Sequence, residues 1–338
     1  MRIAYIPSNY TSHRRAAQSY CRLLSQSHTL VTRLDQADLV ILHEEPHDYA
    51  SIFQTYHLAN KYVIAIAVWE ADDLPDPYKR SIQHVQEIWT PSQYCHSVFA
   101  RYHPRVYVVP HVVEPPPVIS EADRAHIRRT IYHDGRCFYF LTITKLWDKR
   151  KNTQLLIDAF DNLRHAMPLA RLIIKACERD APVRISDPRI IAINAHLPES
   201  QLAALYECTN AYVSPHHSEG WGLTLADAML HQKPTIATGY SGNLEFMDES
   251  NSFLLDFEED TIHPEDVFGL FTTRMKWAYP SREDLLDKLL ILYGSRDDGN
   301  IRAKLRAAAS IHRFAPSQVA PVLQARLDAA APNCAVRS

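Results

Sequence analysis

The fold is decided by a strand, a loop and a helix in the stretch Ala211-Tyr-Val-Ser-Pro-His-His-Ser-Glu-Gly-Trp-Gly-Leu-Thr-Leu-Ala-Asp-Ala-Met-Leu230. Residues 211–214 predict a short buried strand, and a helix is predicted to begin near Leu223. Between them, Gly220 and Gly222 allow the backbone to approach a ligand closely. The free amides and the dipole at the start of the helix favour an anion. The stretch therefore predicts a diphosphate-binding turn at the end of a strand.

The same alternation of strands and helices extends along the chain and indicates parallel sheets with crossover helices. Helices are predicted over 14–25 and 91–101, and Leu155, Leu156, Ala159, Phe160 and Leu163 have the spacing of an amphipathic helix. Predicted strands cover 3–6, 39–42, 62–68, 87–90 and 106–109, then 138–144, 172–177, 190–194, 211–214, 235–238 and 253–255. Two doubly wound α/β domains follow from this pattern.

The run Glu114-Pro-Pro-Pro-Val-Ile-Ser-Glu121 breaks the alternation, because consecutive prolines continue neither a helix nor a central strand. We therefore expect an N-terminal Rossmann-like domain over 1–113 and a linker over 114–135. A C-terminal Rossmann-like domain is expected over 136–312. Apolar spacing predicts a last helix, with a tail, within 313–338.

Composition limits the classes of partner and location. The 338 residues are 46% hydrophobic and 22% charged, which suits about two globular domains. A net charge of -3 argues against attraction of the whole protein to nucleic acid. No run approaches the length of a membrane span, so we expect a cytoplasmic protein, for which attachment to the inner face of a membrane would leave little trace. The six cysteines form no CxxC pair, which favours reduced thiols.

Two acidic residues flank the start of the predicted helix. Glu219 precedes it and Asp227 lies about two turns along it, so a rise of ~1.5 Å per residue separates the two by roughly 12 Å. This separation matches a nucleotide sugar laid across the helix start, with Glu219 at sugar hydroxyls and Asp227 at the ribose. A solvated helix residue is the alternative for Asp227.

A basic loop, Thr144-Lys-Leu-Trp-Asp-Lys-Arg-Lys-Asn152, follows the predicted strand 138–144. Such a cluster can neutralise a leaving diphosphate. Alone it would indicate a solvated surface, but its position at the same sheet edge as the glycine loop favours a site. The cations of this loop are Lys145, Lys149, Arg150 and Lys151.

The stretch from Glu219 to Asp227 resembles the signature of glycosyltransferase family 4, whose GT-B members carry two acidic residues separated by seven others. The resemblance continues through His231-Gln-Lys-Pro-Thr-Ile-Ala-Thr-Gly-Tyr-Ser-Gly-Asn-Leu-Glu245, which is similar to the family's strand and glycine loop beside the donor. It implies a GT-B fold, in which two Rossmann-like domains face each other across a cleft. The family usually has glutamate where this chain has Asp227.

The resemblance also implies roles for individual residues. It assigns Met275-Lys-Trp-Ala-Tyr-Pro-Ser281 to a structural turn before a late helix. The candidate catalytic residues are Glu219, Lys145, Lys151 and Glu70. Lys145 and Lys151 resemble the family's paired basic residues, with Lys149 and Arg150 as alternatives to Lys151. The candidate donor-binding residues are Arg150, Gly220, Trp221, Gly222, Leu223, Thr224, Asp227, Ser241, Gly242 and Asn243, with a nucleobase slot at Cys177, Ala195, His196 and Leu197.

The first domain is expected to take the acceptor. Its loop Pro7-Ser-Asn-Tyr-Thr-Ser-His13 lacks the paired glycines of many relatives, and Asn9 and Tyr10 are candidate acceptor contacts. Trp69 is placed to stack on a sugar, with packing as its alternative, and Glu70 to orient or deprotonate the acceptor hydroxyl. His43, with the neighbouring Glu44 and Glu45, follows another strand and is a further candidate.

The function implied is a retaining glycosyltransferase. It would move a hexose-type sugar from a UDP- or GDP-linked donor to a glycan, glycolipid or other hydroxyl acceptor, in surface polysaccharide or glycoconjugate synthesis. No cofactor and no metal are expected, because lysines and amides supply the positive potential. By the same resemblance the last helix crosses back to the first domain. A sugar-nucleotide epimerase of the same fold and a non-catalytic nucleotide-sugar-binding protein remain as alternatives.

Overall fold

The computed structural model describes residues 1–8, 10–176, 187–294 and 299–334. Two units divide the chain, the first formed by Met1–Glu114 with His312–Ser338 and the second by Pro115–Ile311. The strands are β1 (Arg2–Pro7), β2 (Thr29–Val31), β3 (Leu39–His43), β4 (Val63–Ile66), β5 (Glu87–Thr90), β6 (Val106–Val108), β7 (Phe138–Ile143), β8 (Ala170–Ala176), β9 (Ile190–Asn194), β10 (Ala211–Ser214), β11 (Thr235–Thr238), β12 (Phe253–Leu255), β13 (Phe257–Thr261) and β14 (Lys276–Pro280).

The α-helices carry the chain between these strands. They are α1 (Thr11–Leu24), α2 (Tyr49–Thr55), α3 (Asp76–Ser81), α4 (Gln93–Phe99), α5 (Glu121–Thr130), α6 (Thr153–Asn162), α7 (Glu199–Cys208), α8 (Leu223–Leu230), α9 (Arg282–Gly294), α10 (Gly299–Ala308) and α11 (Pro316–Cys334). Among the helices that the structure describes, none combines the length and the apolar character that crossing a bilayer requires.

Each unit contains one six-stranded parallel sheet. The first is ordered β2-β1-β3-β4-β5-β6 and the second β12-β11-β10-β7-β8-β9. Both are doubly wound, since the strand order reverses at β1/β3 in the first sheet and at β7/β10 in the second. The predicted fold class of two Rossmann-like α/β domains is confirmed. Ligands of such sheets bind beyond the strands' carboxyl ends at the reversal, which directs the search to the loops after β7 and β10.

The predicted amphipathic helix is α6. Its Leu156, Ala159 and Phe160 are fully buried against the second sheet, in a core shared with α9. Burial of apolar side chains on one helix face gives α6 a fixed orientation, because each buried side chain of this size contributes about 1.5–3 kcal/mol. The position of α6 therefore fixes where the loop between β7 and α6 ends.

The last helix, α11, packs within the first unit. Arg326 lies with its guanidinium carbon 3.2 Å from the centre of the Tyr107 ring, and its Nη2 donates to Oε2 of the buried Glu87 at 2.8 Å. The Tyr62 hydroxyl donates to the other oxygen of Glu87 at 2.9 Å. A carboxylate inside the unit therefore holds α11 through a charged hydrogen bond.

The sequence-based organisation needs two corrections. The segment 114–135 was expected to be a linker, but it lies in the second unit from Pro115 and contains α5, which Ser120 caps by accepting from the Asp123 amide at 3.1 Å. The run assigned to a turn, 275–281, contains β14, which pairs antiparallel with β13. The run of prolines before α5 hides the start of that helix in the sequence. β13 is exposed at every residue, so it lacks the alternation of buried and exposed residues that marks a strand.

Candidate active site

Three loops meet at the carboxyl end of the second sheet, after the adjacent strands β7, β10 and β11. The His217 amide donates to the Arg150 carbonyl at 2.8 Å and joins the first two loops. The Gly242 amide donates to the Glu219 carbonyl at 2.8 Å and joins the last two. These bonds bring the basic loop and the glycine loop together at the point where the strand order reverses.

A cluster of four charged side chains lies where the basic loop meets the glycine loop. Lys151 Nζ is 2.5 Å from Glu219 Oε1, and Arg150 Nη1 is 3.1 Å from Glu219 Oε2. Arg150 Nη2 also pairs with Asp148 Oδ2 at 3.0 Å. Glu219 and Arg150 are each 6% exposed, whereas the Lys151 side chain is 18% exposed. Lys151 is therefore the more accessible cation of the pair that holds Glu219.

Arg150 has a different position from the one its donor-binding role implies. Its guanidinium donates to the Ser218 carbonyl at 2.7 Å and is otherwise engaged by Asp148 and Glu219. An arginine so buried between two carboxylates orients Glu219 rather than facing a ligand. Lys149, the other alternative to Lys151, is exposed on the same turn.

The charge of Glu219 follows from these neighbours. Burial raises the pKa of its carboxyl, but the Lys151 ammonium and the Arg150 guanidinium outweigh burial and lower the pKa to about 2. The carboxylate is therefore ionised at neutral pH and remains an acceptor for hydroxyl donors. Because both of its oxygens face cations, it is also a weak nucleophile.

The lowered pKa predicts a specific loss of stability in acid. The carboxyl of Glu219 has its ordinary pKa near 4.5 when unfolded and about 2 when folded. Its ionisation therefore stabilises the fold fully above pH 4.5, and this contribution, on the order of 3 kcal/mol, is lost as the pH falls toward 2. The measurement is the difference in free energy of unfolding between wild type and Glu219→Gln from pH 7 to pH 3, which should shrink below pH 4.5.

The control is Glu207→Gln, which removes the carboxylate of an exposed ion pair with Arg124. Exposed pairs contribute about 0–1 kcal/mol, so its difference from wild type should stay small throughout. A difference for Glu219→Gln that is constant with pH would contradict the lowered pKa.

The start of α8 has the geometry of an anion site. Gly222 precedes the helix with φ at 95°, a left-handed conformation that glycine adopts readily, and it has no side chain to cap the helix. A Cβ atom at this position would lie 2.9 Å from the Leu225 side chain. The Leu225 amide donates to the Gly222 carbonyl at 3.0 Å. The amides of Leu223 and Thr224 precede it and are the ones that we expect at the mouth of the helix.

Ser241 and Gly242, both predicted as donor-binding, support the glycine loop. A Cβ atom on Gly242 would lie 2.1 Å from the Gly220 carbonyl oxygen, so only glycine fits there. The Ser241 hydroxyl accepts from the Glu219 amide at 2.7 Å, with Ser241 itself at φ 74°. These contacts fix the backbone that carries Glu219.

Asn243 was also predicted to bind the donor, and its side chain makes contacts within the protein. Its side chain is fully buried, with Oδ1 3.1 Å from His216 Nε2 and Nδ2 donating to the Thr238 carbonyl at 3.0 Å. Burial lowers the pKa of His216 to about 4, so its ring is neutral at neutral pH. The Asn243 amide is thus used to join two loops.

Sequence reasoning missed His217 and Asp148. His217 Nδ1 is 2.7 Å from the Ala278 carbonyl, and its ring is parallel to Trp277 with centres 5.5 Å apart. The β13–β14 ribbon is therefore attached to the glycine loop. The signals were present as two histidines inside the glycine loop and one acid inside a basic run.

The remaining donor candidates lie on the same loops. Asp227 is buried, which argues against a solvated helix residue, and Trp221 is buried against Phe246 with ring centres 5.1 Å apart. Leu223 and Thr224 are half-buried in the first turn of α8. Lys145 is half-buried after β7.

The predicted nucleobase slot follows the far strands of the same sheet. Ala195 and Leu197 are half-buried and His196 is exposed after the edge strand β9. Cys177 lies outside the described residues. Within the parts of the chain that the structure describes, no three His, Cys, Asp or Glu side chains are grouped as a metal site would require.

The candidate acceptor-binding residues of the first unit differ in how exposed their side chains are. Tyr10 is exposed, whereas Asn9 lies outside the described residues. His43 is fully buried, with the Tyr5 hydroxyl 2.8 Å from its Nδ1, so it does not present its ring to an acceptor. Trp69 is 4% exposed and donates from Nε1 to the Asp73 carbonyl at 2.7 Å, which favours packing over sugar stacking. Glu70 is half-buried beside it.

Glu44 and Glu45 follow β3 at the reversal point of the first sheet. Ser8 donates to Glu44 Oε1 at 2.6 Å, and the Tyr78 hydroxyl donates to Glu45. His13 Nε2 lies 3.7 Å from Glu45 Oε1. This end of the first sheet therefore carries carboxylates held by hydroxyl donors.

A comparison with protein families matches part of the second unit. Residues 137–263 match the family described as "Glycosyl transferases group 1", a region that spans β7, the basic loop, the glycine loop and the Ser241 loop. The match confirms the resemblance to group 1 glycosyl transferases. No curated protein sequence matches the chain significantly.

Solved structures similar to this chain confirm the predicted GT-B fold. A glycosyltransferase from Rickettsia africae has a TM-score of 0.70 at 12% identity, covering 100% of this chain and 99% of that one. HepE of Anabaena, in complex with UDP and glucose, has a TM-score of 0.67 at 14% identity, covering 97% and 99%. The pneumococcal O-GlcNAc transferase GtfA, in complex with UDP and GlcNAc, has a TM-score of 0.61 at 14% identity over 94% of this chain. The chain spans only 60% of the length of that transferase.

Proposed function

We propose that this chain is a retaining glycosyltransferase that moves a hexose-type sugar from a UDP- or GDP-linked donor to a hydroxyl acceptor. The observation that carries the proposal is the pair of Lys151 and Glu219 beside the start of α8, at the reversal point of the second sheet. A cation, a carboxylate and free amides at one place suit a diphosphate joined to a sugar.

Each part of the donor finds a partner of matching chemistry in this arrangement. Lys151, Lys145 and the first amides of α8 bind the diphosphate. Glu219, ionised at neutral pH, accepts from sugar hydroxyls, and Asp227 accepts from the ribose. The UDP and sugar bound in the Anabaena and pneumococcal structures, which share this fold, support a donor of this class.

The reaction breaks the bond between the anomeric carbon and the diphosphate oxygen. Negative charge grows on that oxygen, and Lys151, Lys145 and the helix amides stabilise it. The acceptor hydroxyl then adds to the same face of the sugar, and its proton passes to the leaving phosphate. Same-face entry is favoured over a covalent intermediate because both oxygens of Glu219 are held by cations. No metal is needed in this scheme, since the fixed cations provide the charge.

The first unit takes the acceptor, a glycan, a glycolipid or another hydroxyl compound. Glu70 is the residue of that unit that we propose to orient or deprotonate the acceptor hydroxyl, since its half-buried side chain remains accessible. Cytoplasmic synthesis of surface polysaccharide or glycoconjugate, at the inner face of a membrane, would supply such acceptors.

The test is a panel of UDP-, GDP- and ADP-sugars scored by thermal shift and by hydrolysis of the donor without acceptor. A donor at 100 times its Kd should stabilise the wild type by about 2.7 kcal/mol. Glu219→Ala should weaken the response to the sugar nucleotide more than the response to the nucleotide alone, because it contacts the sugar.

Free sugars serve as the control ligands and should give no shift. If no sugar nucleotide stabilises the wild type, the proposal fails. A new sugar nucleotide formed without acceptor would instead identify an epimerase, and tight binding with neither transfer nor hydrolysis would identify a binding protein.

A further inference from the structure

Trp147, in the basic loop, has an exposed ring for which the donor chemistry above has no use. The chain contains five tryptophans, all within the described residues. Trp147 is 52% exposed, whereas the other four are at most 4% exposed. A large apolar ring gains free energy from burial, so its exposure beside a binding site indicates a surface that a ligand covers.

The turn after β7 fixes the position of this ring. The Asp148 amide donates to the Lys145 carbonyl at 3.0 Å, which places Trp147 at the tip of a tight turn. Lys145 Nζ lies 5.5 Å from the centre of the indole ring, within range of a cation–π contact. Lys151 follows four residues later. The exposed ring is therefore part of the loop that carries both candidate diphosphate lysines.

Aromatic side chains near β13 and β14 pack against the Trp147 ring. Phe268 meets Trp147 edge-on, with ring centres 6.1 Å apart. Phe268 packs on Phe271 at 5.1 Å, and Phe271 on Trp277 at 5.0 Å. Trp277 stacks on His217, whose amide donates to Arg150. A continuous row of rings thus connects Trp147 to the charged cluster, so its orientation is set by the same packing as the site.

We propose that Trp147 is a stacking platform for a pyranose ring of the acceptor glycan, an inference that rests on the proposed function. The C–H bonds on one face of a pyranose are slightly positive and suit the negative face of an indole. Glu219, which we propose to contact the donor sugar, is 6% exposed. Trp147 is 52% exposed, which suits contact with a part of the substrate that extends out of the site.

The kinetic test compares Trp147→Ala with wild type. The KM for the acceptor should rise about tenfold, because one aromatic stacking contact is lost. The KM for the donor and the acceptor-free hydrolysis of the donor should stay unchanged. Trp147→Phe should recover most of the acceptor affinity, since it keeps an aromatic face. An unchanged acceptor KM, or an equal rise in the donor KM, would overturn the proposal.

The matched control is Tyr132→Ala. Tyr132 is an exposed aromatic residue of the same unit, but it precedes β7, whereas Trp147 follows the carboxyl end of that strand. This variant should leave both KM values unchanged. A rise in the acceptor KM here, equal to the rise for Trp147→Ala, would show that the assay responds to the loss of any exposed ring. That result would overturn the stacking role of Trp147.

A second measurement requires no transfer reaction. Acrylamide quenching of tryptophan fluorescence reports mainly on Trp147, since the other four rings are buried. The probes are the methyl glycosides of glucose, galactose, mannose and N-acetylglucosamine, maltotriose, and UMP. At least one glycoside should protect the ring and UMP should not; protection by UMP alone, or by no probe, overturns the proposal. Failure of the proposed function appears separately, as absence of any thermal shift with sugar nucleotides.

Discussion

Replacing Lys151 with alanine should lower kcat for sugar transfer by about 10² to 10³ fold. The Lys151 ammonium is the more accessible cation in contact with Glu219, in the loop that the His217 amide joins to the glycine loop. It therefore acts where charge grows on the leaving diphosphate, and in a partly buried site water replaces it poorly. The measurement is kcat and kcat/KM with the donor that the nucleotide-sugar panel identifies.

The changes in kcat and in kcat/KM distinguish stabilisation of the leaving group from binding of the substrate by Lys151. A cation that acts only on the leaving group lowers kcat and kcat/KM equally, whereas one that binds the ground state raises KM alone. Lys149→Ala is the matched control, because Lys149 is exposed on the same turn and its loss should change kcat by no more than about twofold. A kcat for Lys151→Ala close to that of Lys149→Ala would show that the leaving group is stabilised elsewhere.

Lys151→Arg separates charge from shape. Arginine keeps the positive charge but spreads it over a planar group, which reaches a carboxylate or phosphate through two parallel bonds rather than from one point. Because Arg150 already lies 3.1 Å from Glu219 Oε2, a second guanidinium should fit Glu219 poorly. We expect partial recovery of kcat relative to Lys151→Ala, since the charge returns without the geometry.

The loops of the site could be located from sequence because the pattern around them is regular. β7, β10 and β11 each form a short apolar run that ends at a loop rich in glycine or charge. In a doubly wound sheet such ends lie along one edge, so the meeting of Lys151 and Glu219 follows from topology. The same reasoning placed Gly220 and Gly222 before α8.

The direction of each side chain could not be predicted in the same way. Arg150 and Lys151 are neighbours on one turn, yet Arg150 is enclosed by Asp148, Glu219 and the Ser218 carbonyl, whereas Lys151 is partly accessible. Sequence spacing does not determine which neighbour turns inward on an irregular turn. That choice depends on an acid two residues earlier and on a carbonyl from another loop.

The burial of polar and aromatic residues at strand ends could not be predicted from the sequence either. His43 ends β3 and Trp69 follows β4, positions that sequence reasoning associates with ligands, yet both side chains pack inside the first unit. The strand end fixes where the backbone stops, whereas the exposure of the side chain depends on helices packed above it. For Trp69 the neighbour is Tyr78 of α3, with ring centres 5.0 Å apart.

Replacing Arg150 with methionine should destabilise the second unit by about 3–5 kcal/mol. The change leaves the buried Asp148 without its charged partner and removes one of the two cations that hold Glu219. It also removes the donor to the Ser218 carbonyl. Methionine is unbranched like arginine but ends short of the guanidinium, so the loss measures mainly the charge and the hydrogen bonds of that group. The measurement is the free energy of unfolding in urea, followed by circular dichroism.

Two further variants show whether the effect comes from the buried cluster. Arg164→Met removes an exposed ion pair with Asp161 and should cost no more than about 1 kcal/mol. The double variant Asp148→Asn with Arg150→Met removes one stranded carboxylate together with its cation, so it should be more stable than the sum of the single changes implies. Strict additivity, or a free energy of unfolding for Arg150→Met equal to that of wild type, would mean that Arg150 does not compensate buried charge. If the coupling is found, the fold requires one of the two cations that keep Glu219 ionised, so stability and the charge of Glu219 depend in part on the same residue.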